Sequence, residues 1–476
     1  MLFNSLQFGI FFIIVYSLYL ILNHKWQNRM LLVASYVFYG AWDWRFLSLI
    51  WISTILDYIC GIKIYESIDF KKRRLFLFLS ILGNLSILGF FKYFNFFAAN
   101  IQKLLGLFGV SVNPNFLNVI LPVGISFYTF QTMSYTLDIY RKQMKPTRKL
   151  LDFALFVAFF PQLIAGPIER AKNLLPQVLK TRKVTVEKFL EGFRLILWGL
   201  FKKVVVADRL GIYVDAVYGN VHHHSNITFI LATSFFAFQI YCDFSGYSNM
   251  ARGLAKVMGF DLMVNFRNPY FAKNIKEFWQ RWHISLSSWL KDYLYIPLGG
   301  NRKGFLKTNR NIFITMLLGG LWHGANWTFI VWGMLHGIYI VGTKIVQAAL
   351  EKIIKDKKRN NIISKMLNTL ITFIIVSLAW IFFRAENLND AFYILRSIFS
   401  FPEYLFIEGV ALGHITYSLM GILVVILVEY RSRNNTTGDV LQFKSMVAQW
   451  AVYYLVIFGV IFFGVYGGEQ FIYFQF

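Results

Sequence analysis

Long apolar runs separated by short, basic loops dominate the sequence. A helix that crosses a bilayer needs about 20 mostly apolar residues. Runs near that length occur at residues 2–22, 46–65, 75–98, 119–140, 189–206, 229–250, 312–329, 331–346, 367–383, 412–428 and 447–463. A shorter run at 31–42 is either a half-span or an interfacial helix. The pattern predicts an all-α polytopic membrane protein with about 11–12 transmembrane helices.

Composition supports this fold class. Only 15% of the 476 residues are charged, whereas 57% are hydrophobic. A soluble domain averages about 25% charged residues. The formal net charge of +24 would suggest nucleic-acid binding in a soluble protein. Here the basic residues lie in loops beside apolar runs, where they orient the chain and attract anionic headgroups. We therefore expect membrane lipids as partners and no nucleic acid.

The basic clusters also predict which loops are cytoplasmic. By the positive-inside rule, the clusters at 71–74, 141–149, 170–183, 302–310, 352–359 and 431–433 all face the cytoplasm. Residues 1–476 are then predicted to form a single membrane domain with two unusual segments. Residues 152–168 lie between two such loops and contain proline and glycine breaks, which indicates a re-entrant segment. Residues 252–310 mix aromatic and basic residues without a clean span, which indicates a cytoplasmic-side catalytic substructure.

His323 lies inside an apolar run, in Leu321-Trp322-His323-Gly324-Ala325-Asn326-Trp327. An ionisable side chain at bilayer depth is costly and is therefore a functional candidate. On a continuous helix, Gly319 and Gly320 would lie one turn before His323, and Asn326 and Trp327 one turn after it. Desolvation would keep the imidazole neutral, as a general base for an alcohol requires. The alternative is a structural histidine that is hydrogen-bonded between helices.

His283 lies in an aromatic and basic segment that is too polar to span a bilayer. On a helix it would follow Trp279 by one turn and precede Ser287 by one turn. The side chains that could stack on a base or bind phosphate are Trp279, Trp282, Trp289, Arg281, Lys291 and Arg302. Such a set could hold a nucleotide-bearing donor such as coenzyme A. The alternative is an interfacial amphipathic helix whose basic side chains reach the headgroups.

Other polar residues in the apolar runs carry weaker signals. Asp243 should pair with a basic group or line an aqueous cavity. The run His222-His223-His224 could chelate a metal, but it lacks partners at ligand spacing. His336 is interpreted as structural. No metal site is predicted.

Several motifs together resemble the membrane-bound O-acyltransferase (MBOAT) family. They are Gln280-Arg281-Trp282-His283-Ile284-Ser285-Leu286-Ser287, Leu321-Trp322-His323-Gly324, Leu121-Pro122-Val123-Gly124, Phe160-Pro161-Gln162-Leu163, Tyr241-Cys242-Asp243-Phe244-Ser245-Gly246 and Phe471-Ile472-Tyr473-Phe474-Gln475-Phe476. The chain is most similar to the bacterial branch that acts in alginate and peptidoglycan O-acetylation, and it also resembles the teichoic acid D-alanylation proteins.

The resemblance implies a ring of helices around a central tunnel, in a multi-pass protein of the bacterial cytoplasmic (inner) membrane. It implies that His323 is the essential catalytic residue and that His283 is a second catalytic position, which is less strictly required. Relatives often carry an acidic residue where this chain has Asn249. The residues expected to bind substrate are Trp279, Arg281, Trp282, Ser287, Trp322, Asn326 and Asp243.

The function that the resemblance implies is O-acetyl transfer to a cell-envelope or exported polysaccharide. Acetyl-CoA would be the cytoplasmic donor, and no cofactor would be permanently bound. An extracytoplasmic, serine-dependent acetyltransferase or esterase-like protein would be the partner that receives the acetyl group. Two alternatives remain open from the residues alone: a lipid or protein acceptor, or a transporter that uses Asp243 and His323 as a proton relay.

Overall fold

A computed structural model describes residues 1–112, 116–117, 120–353, 361–400, 405, 412–432, 440–443, 445–467 and 471–472. Within those residues the chain is helical and contains no strand. The α-helices are α1 (Leu6–Ile21), α2 (His24–Asp43), α3 (Leu47–Glu66), α4 (Phe70–Leu88), α5 (Phe94–Leu107), α6 (Ile125–Tyr140), α7 (Leu150–Ala158), α8 (Phe160–Leu163), α9 (Ala171–Leu179), α10 (Val186–Leu200), α11 (Asp208–Tyr218), α12 (Asn226–Val257), α13 (Ile275–Arg281), α14 (Ile284–Leu290), α15 (Gly304–His323), α16 (Trp327–Ile353), α17 (Ile362–Arg384), α18 (Leu388–Ile398), α19 (Leu412–Ser432) and α20 (Met446–Phe463).

Seven helical stretches of the described chain are long and apolar enough to cross a membrane. They are His24–Glu66, Phe70–Leu107, Asn226–Val257, Trp327–Val346, Ile362–Arg384, Gly413–Ser432 and Met446–Phe463. The predicted all-α, multi-pass membrane architecture is therefore confirmed. The short apolar run at 31–42 lies within α2, in the first of these stretches.

The described residues form two compact units. The first consists of Met1–Phe193 and Ala251–Met263, and the second of Arg194–Met250 and Val264–Phe476. The predicted single domain stays a prediction.

A buried polar network holds three helices of the first unit together. Asp57 of α3 accepts hydrogen bonds from Ser80 Oγ at 2.6 Å and from Asn84 Nδ2 at 2.8 Å, both on α4. Thr132 of α6 donates to Asn84 Oδ1 at 3.3 Å. Because a buried carboxylate is costly unless it is hydrogen-bonded, this network specifies how the three helices align.

The segment 152–168 of the first unit is broken and buried, as its prolines and glycines predict. Helix α7 ends at Ala158, and the backbone of Phe159 (φ −51°, ψ 107°) leaves the helical region before the single turn of α8. A Cβ at Gly166 would lie 2.6 Å from the Cα of Gln162, so only glycine fits where the chain turns back. The breaks are confirmed, and the re-entrance of this segment into a membrane stays a prediction.

The second unit contains the closely packed pair α15 and α16. A Cβ at Gly320 would lie 3.0 Å from the Cα of Gly333, and one at Gly333 would lie 2.5 Å from the carbonyl oxygen of Met316. Facing glycines of this kind let two membrane helices approach backbone to backbone. The close approach fixes where the ends of α15 and α16 meet, and His323 lies at that corner.

Candidate functional site

His323 is the last residue of α15. Gly324 follows in an extended conformation (φ −159°, ψ 151°), and α16 begins at Trp327. A side chain at Gly324 would overlap the ring of Phe329, so the chain can turn here only with glycine. The prediction that Asn326 and Trp327 lie one helical turn after His323 is wrong, because the helix ends first.

Aromatic rings surround His323. Its ring centroid lies 5.1 Å from that of Trp322, 5.0 Å from that of Trp332 and 5.3 Å from that of Phe383. Only 3% of the residue is exposed. A shell of this kind shields the imidazole from bulk water on the sides that it covers.

His283 lies at a break between two short helices. Helix α13 ends at Arg281 and α14 begins at Ile284, while His283 itself adopts a left-handed conformation (φ 42°, ψ 53°). The predicted helical spacing from Trp279 through His283 to Ser287 is therefore wrong. Left-handed backbone is rare for a residue with a Cβ, and it persists where the surroundings hold it in place.

The side chain of Asn265 contacts His283 and Ser285 and helps to keep His283 in this conformation. Asn265 Oδ1 lies 3.2 Å from His283 Nδ1 and accepts from both the backbone N–H (3.2 Å) and the Oγ (2.9 Å) of Ser285. The Asn265 amide group in turn donates to Ser248 Oγ at 3.1 Å. Burial lowers the pKa of His283 to about 3, which keeps its imidazole neutral. The ring centroids of His283 and His323 are 6.3 Å apart.

A cavity of about 350 Å³ lies against His323. The residues that line it are Trp279, Gln280, Ile284, Leu286, Ser287, Ser288, Leu290, Lys291, Thr315, Met316, Gly319, His323, Trp332 and Ile340. Most of this wall is apolar. Lys291 contributes a cationic group, and Ser287 and Thr315 contribute hydroxyls. Of the residues predicted to bind substrate, Trp279 and Ser287 line this cavity together with His323.

Other predicted substrate-binding residues have protein partners. Trp282 is fully buried, with its ring centroid 5.0 Å from that of Trp380. Arg281 forms an ion pair with Glu277 of the preceding turn at 2.6 Å. These contacts favour structural roles for both side chains.

Trp322 and Asn326 both support the corner around His323. The ring of Trp322 contacts His283 and His323, with centroid distances of 6.0 and 5.1 Å. Asn326 Oδ1 accepts from the backbone N–H of Thr328 at 3.1 Å, and its amide group donates to the Glu386 carbonyl at 2.9 Å. Asn326 thereby caps the start of α16.

Asp243 is part of a buried ion-pair network. Lys203 Nζ lies 2.7 Å from Asp243 Oδ1 and 2.7 Å from Asp208 Oδ1. The other oxygen of Asp243 accepts from the backbone N–H of Ile472 at 2.8 Å. The prediction that Asp243 pairs with a basic group is confirmed. The network ties the segment at Ile472 to α12, next to Phe244, whose ring contacts His283 with a centroid distance of 4.6 Å.

The remaining histidines lie in other surroundings. His336 is on α16, where its Nδ1 accepts from Trp279 Nε1 at 3.3 Å. His222 Nε2 lies 3.8 Å from Asp390 Oδ1, and its ring packs on Tyr393. Among the described residues, no group of three or more His, Cys, Asp or Glu side chains is arranged to hold a metal ion.

Sequence reasoning missed the role of Asn265, Gly324 and Leu290. Asn265 is 18 residues from His283, and nothing in the local pattern links the two. Leu290 lines the cavity opposite Gly319, where it resembles any other apolar helix residue. The sequence does contain a signal for the end of α15: Gly324 directly follows His323, and glycine commonly ends a helix.

Comparison with known proteins identifies the family. Residues 145–383 match the model of MBOAT, the membrane-bound O-acyltransferase family. The chain is 43% identical to a probable alginate O-acetylase of Pseudomonas putida, over 85% of this chain and 81% of that protein. It is 37% identical to a peptidoglycan O-acetyltransferase of Helicobacter pylori, over 83% and 76%. A teichoic acid D-alanyltransferase of Bacillus subtilis is 28% identical over 46% of this chain and 58% of that protein. The chain therefore belongs to the membrane-bound O-acyltransferase family and is an O-acyltransferase.

Proposed function

We propose that this protein is a membrane O-acetyltransferase that modifies a cell-envelope or exported polysaccharide. The relatives at 37–43% identity are named for O-acetylation of alginate or peptidoglycan, and they align over more than four-fifths of this chain. The protein would lie in the bacterial inner membrane. Acetyl-CoA on the cytoplasmic side would supply the acetyl group, and a tunnel through the protein would carry that group toward the outer face.

The observation that carries the proposal is the position of His323 on the wall of an apolar cavity. The cavity is large enough for an acetyl thioester and part of its linear arm. Lys291 at its edge would attract a negatively charged donor. Trp279 and Ser287 would contact the acetyl group and the arm.

In the reaction, His323 would act as a general base. Its neutral ring would take the proton of an acceptor hydroxyl as the hydroxyl oxygen attacks the thioester carbonyl. The C–S bond then breaks, the new ester bond remains, and the imidazolium returns the proton to the thiolate. The aromatic shell of Trp322, Trp332 and Phe383 would limit hydrolysis by keeping water from the thioester.

The acceptor would be the serine hydroxyl of a partner protein on the outer face, which then acetylates the glycan. A lipid acceptor predicts transfer without any partner. A transporter predicts movement of a substrate without thioester cleavage.

One assay separates these functions. Purified protein in nanodiscs is incubated with acetyl-CoA, with and without the secreted serine-dependent partner, and free coenzyme A is measured. The proposal predicts that coenzyme A release rises when the partner is added and that the acetyl group appears on its serine. Substrate flux without coenzyme A release would overturn the proposal. Equal acetyl transfer with and without the partner would mean that the acceptor is not the partner's serine.

A further inference from the structure

The hydrogen bonds around Asn265 decide which nitrogen of His283 carries its proton. The Ser285 backbone N–H can only donate, so the Asn265 atom that it contacts at 3.2 Å must be the amide oxygen. The Asn265 amide nitrogen then faces Ser248 Oγ at 3.1 Å, where it donates. The orientation of the Asn265 amide is therefore fixed by a backbone N–H group, which cannot act as an acceptor.

An amide oxygen can only accept. His283 Nδ1 lies 3.2 Å from this oxygen and 3.4 Å from Ser285 Oγ. Because Ser285 Oγ donates to the amide oxygen at 2.9 Å, and an unprotonated Nδ1 would direct its lone pair at that oxygen, we assign the proton to Nδ1. A neutral imidazole with a proton on Nδ1 has a lone pair on Nε2. His283 is thus fixed as the tautomer whose second nitrogen accepts hydrogen bonds.

The rest of the environment keeps this tautomer neutral. The rings of Phe244, Phe266 and Trp322 contact the imidazole with centroid distances of 4.6, 6.4 and 6.0 Å. Among the described contacts of this ring, His323 is the group that can change its charge, at 6.3 Å between centroids. The nearby carboxylate of Asp243 is paired with Lys203.

We propose that Asn265 is a positioning residue for acyl transfer, which holds the buried His283 beside His323 in the tautomer that accepts through Nε2. This inference rests on the proposed function, because it assigns a role within the same site. It divides the work of the two histidines: His323, on the cavity wall, takes the hydroxyl proton, while His283, which is fully buried beside it, has an Nε2 that can only accept a hydrogen bond. The thioester carbonyl oxygen must then be stabilised by a donor other than His283.

The tautomer of His283 can be measured without an activity assay. The protein has eight histidines, so selective ¹⁵N-histidine labelling in nanodiscs gives a short spectrum, and the His283 signals are those lost in His283→Gln. The expected result is a protonated Nδ1 and an unprotonated Nε2, and a mixture of tautomers in Asn265→Ala. A wild-type signal with the proton on Nε2 would overturn the inference.

Kinetics separate positioning from a general packing role. Asn265→Ala should lower kcat by about tenfold or more. KM for the donor should change little, because the donor does not need a fixed His283 tautomer in order to bind. The matched control is Ser285→Ala, which removes the hydroxyl contacts with Asn265 Oδ1 and His283 Nδ1 but leaves the contact between Oδ1 and Nδ1, and it should lose less. Equal kcat in Asn265→Ala and wild type would overturn the inference.

The isosteric variant Asn265→Asp adds a pH signature. A carboxylate still accepts from Nδ1, so transfer should recover relative to Asn265→Ala at alkaline pH. Its negative charge would raise the pKa of His283. Protonation removes the Nε2 lone pair, so the rate should fall as pH decreases through the new pKa. Failure to recover at any pH, in a variant with wild-type Tm, would contradict the positioning role. If the wild-type protein released no coenzyme A, the proposed function itself would be refuted.

Discussion

Two histidines on neighbouring helices have nearly the same surroundings and different access. His323 and His336 are both buried, and Trp332 contacts both rings, with centroid distances of 5.0 and 4.8 Å. His323 ends α15 and lines the cavity. His336 lies within α16, and its Nδ1 accepts a hydrogen bond from the indole of Trp279. Both imidazoles pack among aromatic rings, but His323 also faces a cavity in which it can meet a substrate.

The backbone explains the difference. Gly324 ends α15 immediately after His323, so the ring stands at a corner between helices. His336 is enclosed in mid-helix by the rings of Phe278, Trp279 and Trp332. We therefore assign the chemistry to His323 at the corner and a structural role to His336 in mid-helix. The following variants test that contrast.

Among the four variants compared first, Gly324→Ala should have the largest effect, because the new methyl group overlaps the Phe329 ring and must displace the corner that holds His323. A displacement of about 1 Å can lower a rate about 100-fold. Transfer rate and Tm are measured together. Gly342→Ala is the control, because a Cβ there meets nothing within 4 Å. Wild-type transfer by Gly324→Ala would show that the corner does not position His323.

Gly319→Ala should change the choice of acyl group. Its Cβ would lie 3.2 Å from Leu290 Cδ1, and both residues line the cavity. One added methyl group should lower kcat/KM for a butyryl thioester by roughly tenfold relative to acetyl. Competition between acetyl-CoA and butyryl-CoA measures the ratio. An unchanged ratio would mean that the acyl group binds elsewhere.

Lys291→Met should weaken donor binding. Lys291 lines the cavity, and an exposed charge contributes up to about 1 kcal/mol, so KM for acetyl-CoA should rise on the order of fivefold. Arg281→Met is the matched comparison, because Arg281 is already paired with Glu277. A larger rise in KM for Arg281→Met than for Lys291→Met would place the donor phosphates at Arg281.

His336→Leu should affect stability more than transfer. It leaves the half-buried indole N–H of Trp279 without its acceptor, which costs about 1 kcal/mol. Tm should fall while kcat stays within about twofold of wild type. A loss of kcat at unchanged Tm would give His336 a part in the reaction.

The amino-acid sequence was sufficient to predict the helical, multi-pass architecture, since lipid requires apolar residues over a full span. The breaks at His283 and Gly324 were missed because hydropathy is the same on both sides of each break. The pairing of Arg281 with Glu277 could have been predicted, because they are four residues apart on one helix. The contact between Asn265 and His283 could not, because it depends on how separate segments pack.

The most direct measurement compares His323→Ala with His336→Ala in one assay of acetyl transfer from acetyl-CoA, with folding checked by Tm. General-base catalysis contributes about 10²–10⁴-fold. We predict that His323→Ala loses a factor in that range while its Tm stays near that of wild type, and that His336→Ala keeps most of the transfer rate. Wild-type transfer by His323→Ala would contradict the account.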